Sequence, residues 1–294
     1  MNMPRVVIAE GVNTAGAALV RLLTLRGYRV TVLSRKPEKT AGAVHHVAWD
    51  GATLGPWFEA LEGACGLVNL AGCGARENAR ESLSAASVLA TALAACADGP
   101  SVWLQAGSLR IYGDERRTRA ADELTAAGEQ SPSQEWLAVE HAMNEAPLPQ
   151  VRRAVYRLGA VLSESARSRR RVQHLVQWSK ESPANRTGWL SWIHADDLAR
   201  LLYWGLRMEI IAGPYNACVP EAVPLDSLGG MSGNGVATPW PGESNAAPES
   251  LVRAMPRRFL DIAYQFRNED LAQVVGESHE ANAPGEHAAV AAMR

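Results

Sequence analysis

Residues 6–16 read VVIAEGVNTAG and lead into Ala17-Ala18-Leu19-Val20-Arg21-Leu22-Leu23. A β-branched run that enters a glycine-bearing turn and leaves it as an amphipathic helix predicts the opening of a dinucleotide-binding unit. The turn aims the helix's first N–H groups at the place where a pyrophosphate would lie. A G-x-x-G-x-x-G loop would put glycines at positions 10, 13 and 16, where this chain has Glu10, Asn13 and Gly16. The stretch therefore speaks more strongly for the fold than for the cofactor.

Working outward, Arg5 to Ala9 is expected as a strand, Ala15 to Arg26 as a helix ended by Gly27, and Tyr28 to Ser34 as a second strand. This is one βαβ unit. An adenosine ribose would arrive at the end of its second strand, where an acidic residue would suit the free 2′-hydroxyl of NAD. The chain has Ser34-Arg35-Lys36 there. Two cations match a 2′-phosphate and favour NADP, the alternative being a solvated loop.

Val44 to Asp50 reads as a third strand, whose adjacent His45 and His46 point to opposite faces and cannot share a metal. Trp57 to Gly63 is expected as a short helix, and Gly66 to Gly72 as a buried strand opening into a small-residue loop. Ala75 to Ala97 reads as a helix, and Ser101 to Ala106 as a strand. That strand feeds Gly107-Ser108-Leu109-Arg110-Ile111-Tyr112, which brings a hydroxyl and a phenol to one loop. Pro132 to Asn144 is expected as a helix with Ser131 or Ser133 at its cap, and Val151 to Leu162 as one strong strand. Arg167, Arg169, Arg170 and Arg171 read as a solvated helix face or an anion contact. Trp189 to Ile193 reads as a short strand, and His194-Ala195-Asp196-Asp197 as the cap of a helix from Leu198 to Met208. Tyr215 to Val219 should form the last strand, and a short helix is expected within Ser250 to Leu260. Residues 229–248 read as a loop rich in Gly, Pro, Ser and Asn.

With 294 residues, 47% hydrophobic and 20% charged, the chain can bury one large α/β core, alone or with a small second lobe. Its 29 basic and 31 acidic residues leave a net charge of −2, so no nucleic-acid or membrane partner is expected. Cys65, Cys73, Cys96 and Cys218 form no C-x-x-C pair, which points to a reducing compartment without disulfides or a metal site. The amino terminus runs directly into a strand, so neither a signal peptide nor a membrane span is expected, and the cytoplasm is the expected location.

Alternating strands and helices with loops at the strands' carboxyl ends define an α/β, doubly wound parallel sheet. The chain also resembles the short-chain dehydrogenase/reductase superfamily of extended type, within it the epimerase-like group of cell-division-inhibitor homologues. The resemblance is carried by LSRKPEK at 33–39, VNLAG at 68–72, IYGD at 111–114 and YRLGAVLS at 156–163. It continues in WLSWIHADDLARLL at 189–202, GPYNACVPEAV at 213–223 and PRRFL at 256–260. It implies a Rossmann-like core over residues 1–163 and a segment 164–277 that completes the core and forms a small C-terminal substrate-side lobe; the Ala-, Glu- and His-rich tail at 278–294, which lacks periodicity, is expected to be disordered. The resemblance further implies NADP as cofactor, held by Gly11 and Gly16 of the turn, Arg35, and Asn69, Ala71 and Gly72 of the N-x-A-G loop; Asn13 in the turn and Lys36 beside Arg35 are expected as further cofactor contacts by their positions. Ser108 and Tyr112 match the active-site loop.

Two departures stand out. The group's turn is typically TGGTGFIG, and Glu10 and Asn13 replace two of its glycines; a carboxylate near a pyrophosphate is unfavourable. The superfamily also uses a Tyr-x-x-x-Lys pair for proton transfer, whereas the matching helix here offers Trp136 and Glu140. The expected function is a diverged NADP-dependent oxidoreductase or epimerase acting on a small molecule. Ser108 or Tyr112 would act on the substrate, with Glu140 or Asp196 assisting. The alternatives are a pseudoenzyme that binds without turnover and a cofactor-independent cyclase or isomerase. The oligomeric state stays open, a homodimer included.

Overall fold

The computed structural model describes residues 3–73, 78–113, 119–181, 188–230, 252–267 and 270–275. The expectations for residues 75–77, Asp114, most of the 229–248 loop and the 278–294 tail lie outside these residues. In chain order the strands are β1 (Arg5–Ala9), β2 (Arg29–Ser34), β3 (Val44–Ala48), β4 (Gly66–Asn69), β5 (Val102–Ser108), β6 (Arg152–Leu158), β7 (Ala160–Leu162), β8 (Trp189–Leu190), β9 (Trp192–His194), β10 (Gly213–Ala217) and β11 (Val223–Pro224). The helices are α1 (Thr14–Leu25), α2 (Ala79–Ala95), α3 (Ser133–Asn144), α4 (Ala166–Glu181), α5 (Ala195–Arg207), α6 (Arg257–Asp261) and α7 (Leu271–Val275).

Both faces of β1 are buried. Val6 and Ile8 pack with Leu19 and Leu23 of α1 and with Leu198 of α5, while Val7 and Ala9 pack with Leu89 and Leu93 of α2. A strand covered on both sides is what a parallel sheet between two helical layers needs. The central sheet has seven strands in the order β10-β6-β5-β4-β1-β2-β3, every neighbouring pair parallel. This is the expected Rossmann-like, doubly wound α/β fold. The strand order reverses between β1 and β4, and such a switch point opens a crevice at the strands' carboxyl ends. The β1–α1 turn, Ala71-Gly72 and Ser108 follow or end the strands at that edge.

Several local expectations are corrected. Val151 to Leu162 is two strands: Gly159 N donates to Ala217 O at 3.1 Å, and β7 leaves the main sheet to pair with β9. A Cβ at position 159 would stand 2.5 Å from Ser191 O, so only glycine allows that exit. The helix expected at Trp57 to Gly63 is a 3₁₀ turn over Pro56–Ala60. Neither aspartate caps α5. His194 Nδ1 accepts from Asp196 N at 3.2 Å, and the helix starts three residues earlier than expected. Helix α3 has no side-chain cap, because Ser131 Oγ donates to Glu135 and Ser133 Oγ to Arg110 O. Among the described residues no helix is long and apolar enough to cross a membrane.

Candidate functional site

The crevice begins at the β1–α1 turn. Glu10 sits at φ 57°, in the left-handed region that favours glycine, and its N donates to Leu33 O at 2.8 Å. The backbone thus keeps the shape of a glycine turn although the residue is a glutamate. Gly16 is irreplaceable on steric grounds, since a Cβ there would meet Gly11 O at 2.3 Å. A Cβ on Gly11 would press on Ile8 and Val32 at 3.0–3.1 Å. Asn13 caps α1, its Oδ1 accepting from Gly16 N at 2.8 Å. One of the helix's leading N–H groups is therefore already engaged.

Arg35, just past β2, lies beside this turn. Its Nε donates to Asp50 O at 3.3 Å, its Nη1 to Glu81 Oε1 at 3.2 Å, and Nε stands 3.6 Å from Glu10 Oε1. Lys36 is exposed, its backbone N bonded to Ser34 Oγ. Burial pushes the Glu10 carboxyl above its usual range, Arg35 opposes that and Glu81 adds to it. Across the switch point, Asn69 Oδ1 accepts from Ala71 N at 3.0 Å and Asn69 Nδ2 donates to Gln105 Oε1 at 2.9 Å. Gly72, at φ 75°, is pressed against α2: a Cβ there would lie 2.4 Å from Asn78 O. Gly11, Gly16 and Gly72 thus allow close backbone approaches that suit a dinucleotide, whereas Glu10 and the Asn13 cap replace features of such a loop with protein groups.

Further along the sheet edge, Ser108 ends β5 and its Oγ accepts from Arg110 N at 3.1 Å. Tyr112 closes the following 3₁₀ turn, fully buried. Its hydroxyl donates to Asn216 Oδ1 and accepts from Arg157 Nη1, both at 2.7 Å. Arg157 is gripped by Glu140, Nε to Oε1 at 2.8 Å and Nη2 to Oε2 at 2.9 Å. Burial raises the Tyr112 phenol to about 12, with Arg157 and Asn216 pulling against it. Three candidates from the sequence, Ser108, Tyr112 and Glu140, therefore fall on adjoining elements, two of them joined through Arg157. Trp136 packs into the same core. Asp196 belongs elsewhere by its contacts: it pairs with Arg21 of α1, at the junction of α1 and α5.

Sequence reasoning missed Arg157, Asn216, Glu123 and Glu81. The first had a signal, since an arginine inside the apolar run of β6 demands a buried partner. Asn216 donates its N to Glu123 Oε1 at 2.8 Å and its Nδ2 to Ala121 O and Met255 O. It ties β10 and the segment before α6 to the Tyr112 network. Glu81, in the first turn of α2, carried no periodic or motif cue.

A profile of the NAD dependent epimerase/dehydratase family matches residues 13–218. Among curated relatives, the bovine epimerase family protein SDR39U1 is 25% identical over 303 aligned positions, covering 93% of this chain and 99% of the relative. The Bacillus subtilis epimerase family protein YfhF is 22% identical over 288 positions, 90% and 95% of the two chains. Among solved structures, human SDR39U1 isoform 2 with NADPH superposes with a TM-score of 0.68 at 23% identity, covering 92% of this chain and 97% of that one. MoeE5 in complex with UDP-glucose and NAD gives 0.72 at 18% identity, over 92% and 96%. The resemblance read from the motifs is thus borne out: the chain belongs to the NAD dependent epimerase/dehydratase family.

Proposed function

We propose that this chain binds a nicotinamide dinucleotide in the switch-point crevice, NADP(H) by preference, and acts as an oxidoreductase or epimerase on a small molecule. The observation that carries this reading is the β1–α1 turn, where Gly16 closes on the Gly11 backbone within reach of Arg35. Gly11, Asn13 and Gly16 would face the pyrophosphate, Asn69, Ala71 and Gly72 the opposite wall, and Arg35 with Lys36 the 2′-phosphate. The NADPH found with human SDR39U1 supports the same choice. When bound, the cofactor supplies hydride chemistry. Ser108 is assigned to the substrate carbonyl; Tyr112 and Glu140 act as positioning residues, and Asp196 as a tie between α1 and α5.

A second reading, binding without turnover, is favoured by one observation: Ser108, Tyr112, Glu140 and Asp196 all have partners within the protein. Thermal unfolding with NADPH and NADH tests the common part. A cofactor at 100 times its Kd should add about 2.7 kcal/mol of stability, and no shift with either would refute both readings that need it. Arg35→Ala should weaken NADPH binding much more than NADH binding; equal losses would refute the 2′-phosphate assignment. Cofactor absorbance followed against a panel of small carbonyl compounds and sugar nucleotides then separates the two, since Ser108→Ala abolishes turnover only in the first.

A further inference from the structure

Arg35, the cation assigned above to the 2′-phosphate, is bracketed by two carboxylates. Glu81 reaches it from α2 at 3.2 Å and Glu10 from the β1–α1 turn at 3.6 Å. With Lys36 adjacent, the corner holds two positive and two negative charges, not the net positive charge that a phosphate dianion favours. Glu10 is also held in place. Its left-handed backbone is bonded to Leu33 O, and its Oε1 is buried without a hydrogen bond, with the Arg35 guanidinium as its close cation. A non-glycine residue kept at such a φ marks a position that the surrounding structure over-determines.

The consequence follows from electrostatics. Arg35 favours the ionised Glu10 carboxylate, whereas its burial and the Glu81 charge push that carboxyl up. A phosphate that takes Arg35 removes this support and adds a second anion beside Glu10. A ribose with a free 2′-hydroxyl does neither, and its hydroxyl can donate to the carboxylate.

We propose that Glu10 competes with the 2′-phosphate of NADP(H) for Arg35, so that NADP(H) binds with uptake of a proton at Glu10 while NAD(H) binds without one. This makes Glu10 a cofactor-selectivity residue and rests on the reading that a nicotinamide dinucleotide occupies the crevice.

The test is isothermal titration of the full chain with NADPH and NADH at about pH 6 and about pH 8, in buffers of different ionisation enthalpy. The 2′-phosphate itself titrates near about 6, so the readout is the difference between wild type and Glu10→Gln, in which that titration is shared. In wild type, NADPH binding takes up a proton and NADH binding does not. Glu10→Gln is expected to tighten NADPH about tenfold at the higher pH, equivalent to about 1.4 kcal/mol. It should abolish the Glu10 share of the uptake and leave NADH equal or weaker. Glu10→Gly, which suits the left-handed turn, should give the same change and guards against a folding defect in the first variant. An NADPH-to-NADH affinity ratio within twofold of wild type in both variants, or unaltered proton uptake, would overturn this inference alone. Binding of neither cofactor to any of the three proteins would overturn the underlying reading and the inference with it.

Discussion

Replacing Arg157 with methionine is the sharpest test of what the buried network does. Its guanidinium makes two parallel bonds to Glu140 at 2.8 and 2.9 Å and a third to the Tyr112 hydroxyl at 2.7 Å. Both partners of the ion pair are nearly sealed, with side chains 9% and 8% exposed. Methionine keeps most of the aliphatic stem but leaves the Glu140 carboxylate beside Gly107 without its cation. Breaking one side of a buried pair costs about 3–5 kcal/mol. At roughly 2–4 °C per kcal/mol, Tm should fall by about 6–20 °C. Converting both partners, Arg157→Met with Glu140→Leu, removes the orphaned charge and should recover at least about 2 kcal/mol of the summed single losses. The measurement is a urea-unfolding double-mutant cycle on four proteins, with Tm as a second readout. If Arg157→Met costs less than about 1 kcal/mol, or if the two losses add within about 0.5 kcal/mol, the network is not a brace. Glu140 would then be available as a reacting group, and Glu140→Gln should remove turnover without altering stability.

Two further outcomes follow from the same geometry. Tyr112→Phe strands Arg157 Nη1 and Asn216 Oδ1 and should cost about 1–3 kcal/mol at neutral pH, measured by urea unfolding. Because burial raises the phenol from 10.0 to about 12, its folded-state pKa lies above the unfolded one. The associated stability is complete below pH 10 and declines as the pH rises toward 12, and this part of the alkaline fall should vanish in Tyr112→Phe. Gly16→Ala places a methyl 2.3 Å from Gly11 O, so the turn must open. We expect a loss of about 1–3 kcal/mol and at least tenfold weaker dinucleotide binding; an unchanged Tm would refute the close approach.

The main layers were legible because their signals are local and periodic. β1 matched its expected bounds, and α1 and β2 shifted by a residue or so, since apolar runs, Gly27 and the turn chemistry all agree there. Legibility failed where a distant partner decides. Nothing near Gly159 announces that Ser191 O will lie against it, so a continuous apolar run read as one strand. His194 outcompetes two aspartates as the α5 cap because each aspartate is engaged by a remote partner, Arg21 for Asp196 and the backbone N of Arg267 at 3.1 Å for Asp197, which also pairs with Arg200 one turn along α5. The site was half legible for the same reason. Arg35 was visible at the end of β2, but Glu10 and Glu81 meet it only after β1, β2 and α2 assemble.

By the resemblance, Glu10 and Glu140 correspond to a glycine and a lysine of the superfamily pattern, and each is paired with an arginine. The two pairs differ in a way that bears on function. Glu140 and Arg157 bond side-on in the core, one guanidinium edge (Nε and Nη2) meeting both carboxylate oxygens, with Tyr112 and Asn216 completing the shell, and such a pair resists exchange because any partial opening leaves a buried charge. Glu10 and Arg35 touch at 3.6 Å with Arg35 about half exposed, so water or another anion can replace either member. On that resemblance, the Glu140 pair belongs to the scaffold, whereas the Glu10 pair is a contact that a ligand can displace. Divergence in this chain is thus expected to tune which dinucleotide enters more readily than to build a new reacting group at the old one's position. A Glu140→Lys, Trp136→Tyr variant tests this: the restored lysine would face Arg157 in the core, and loss of folding without gain of turnover is the expected result. Recovered turnover with retained stability would show instead that the old proton-transfer position is still open to substrate.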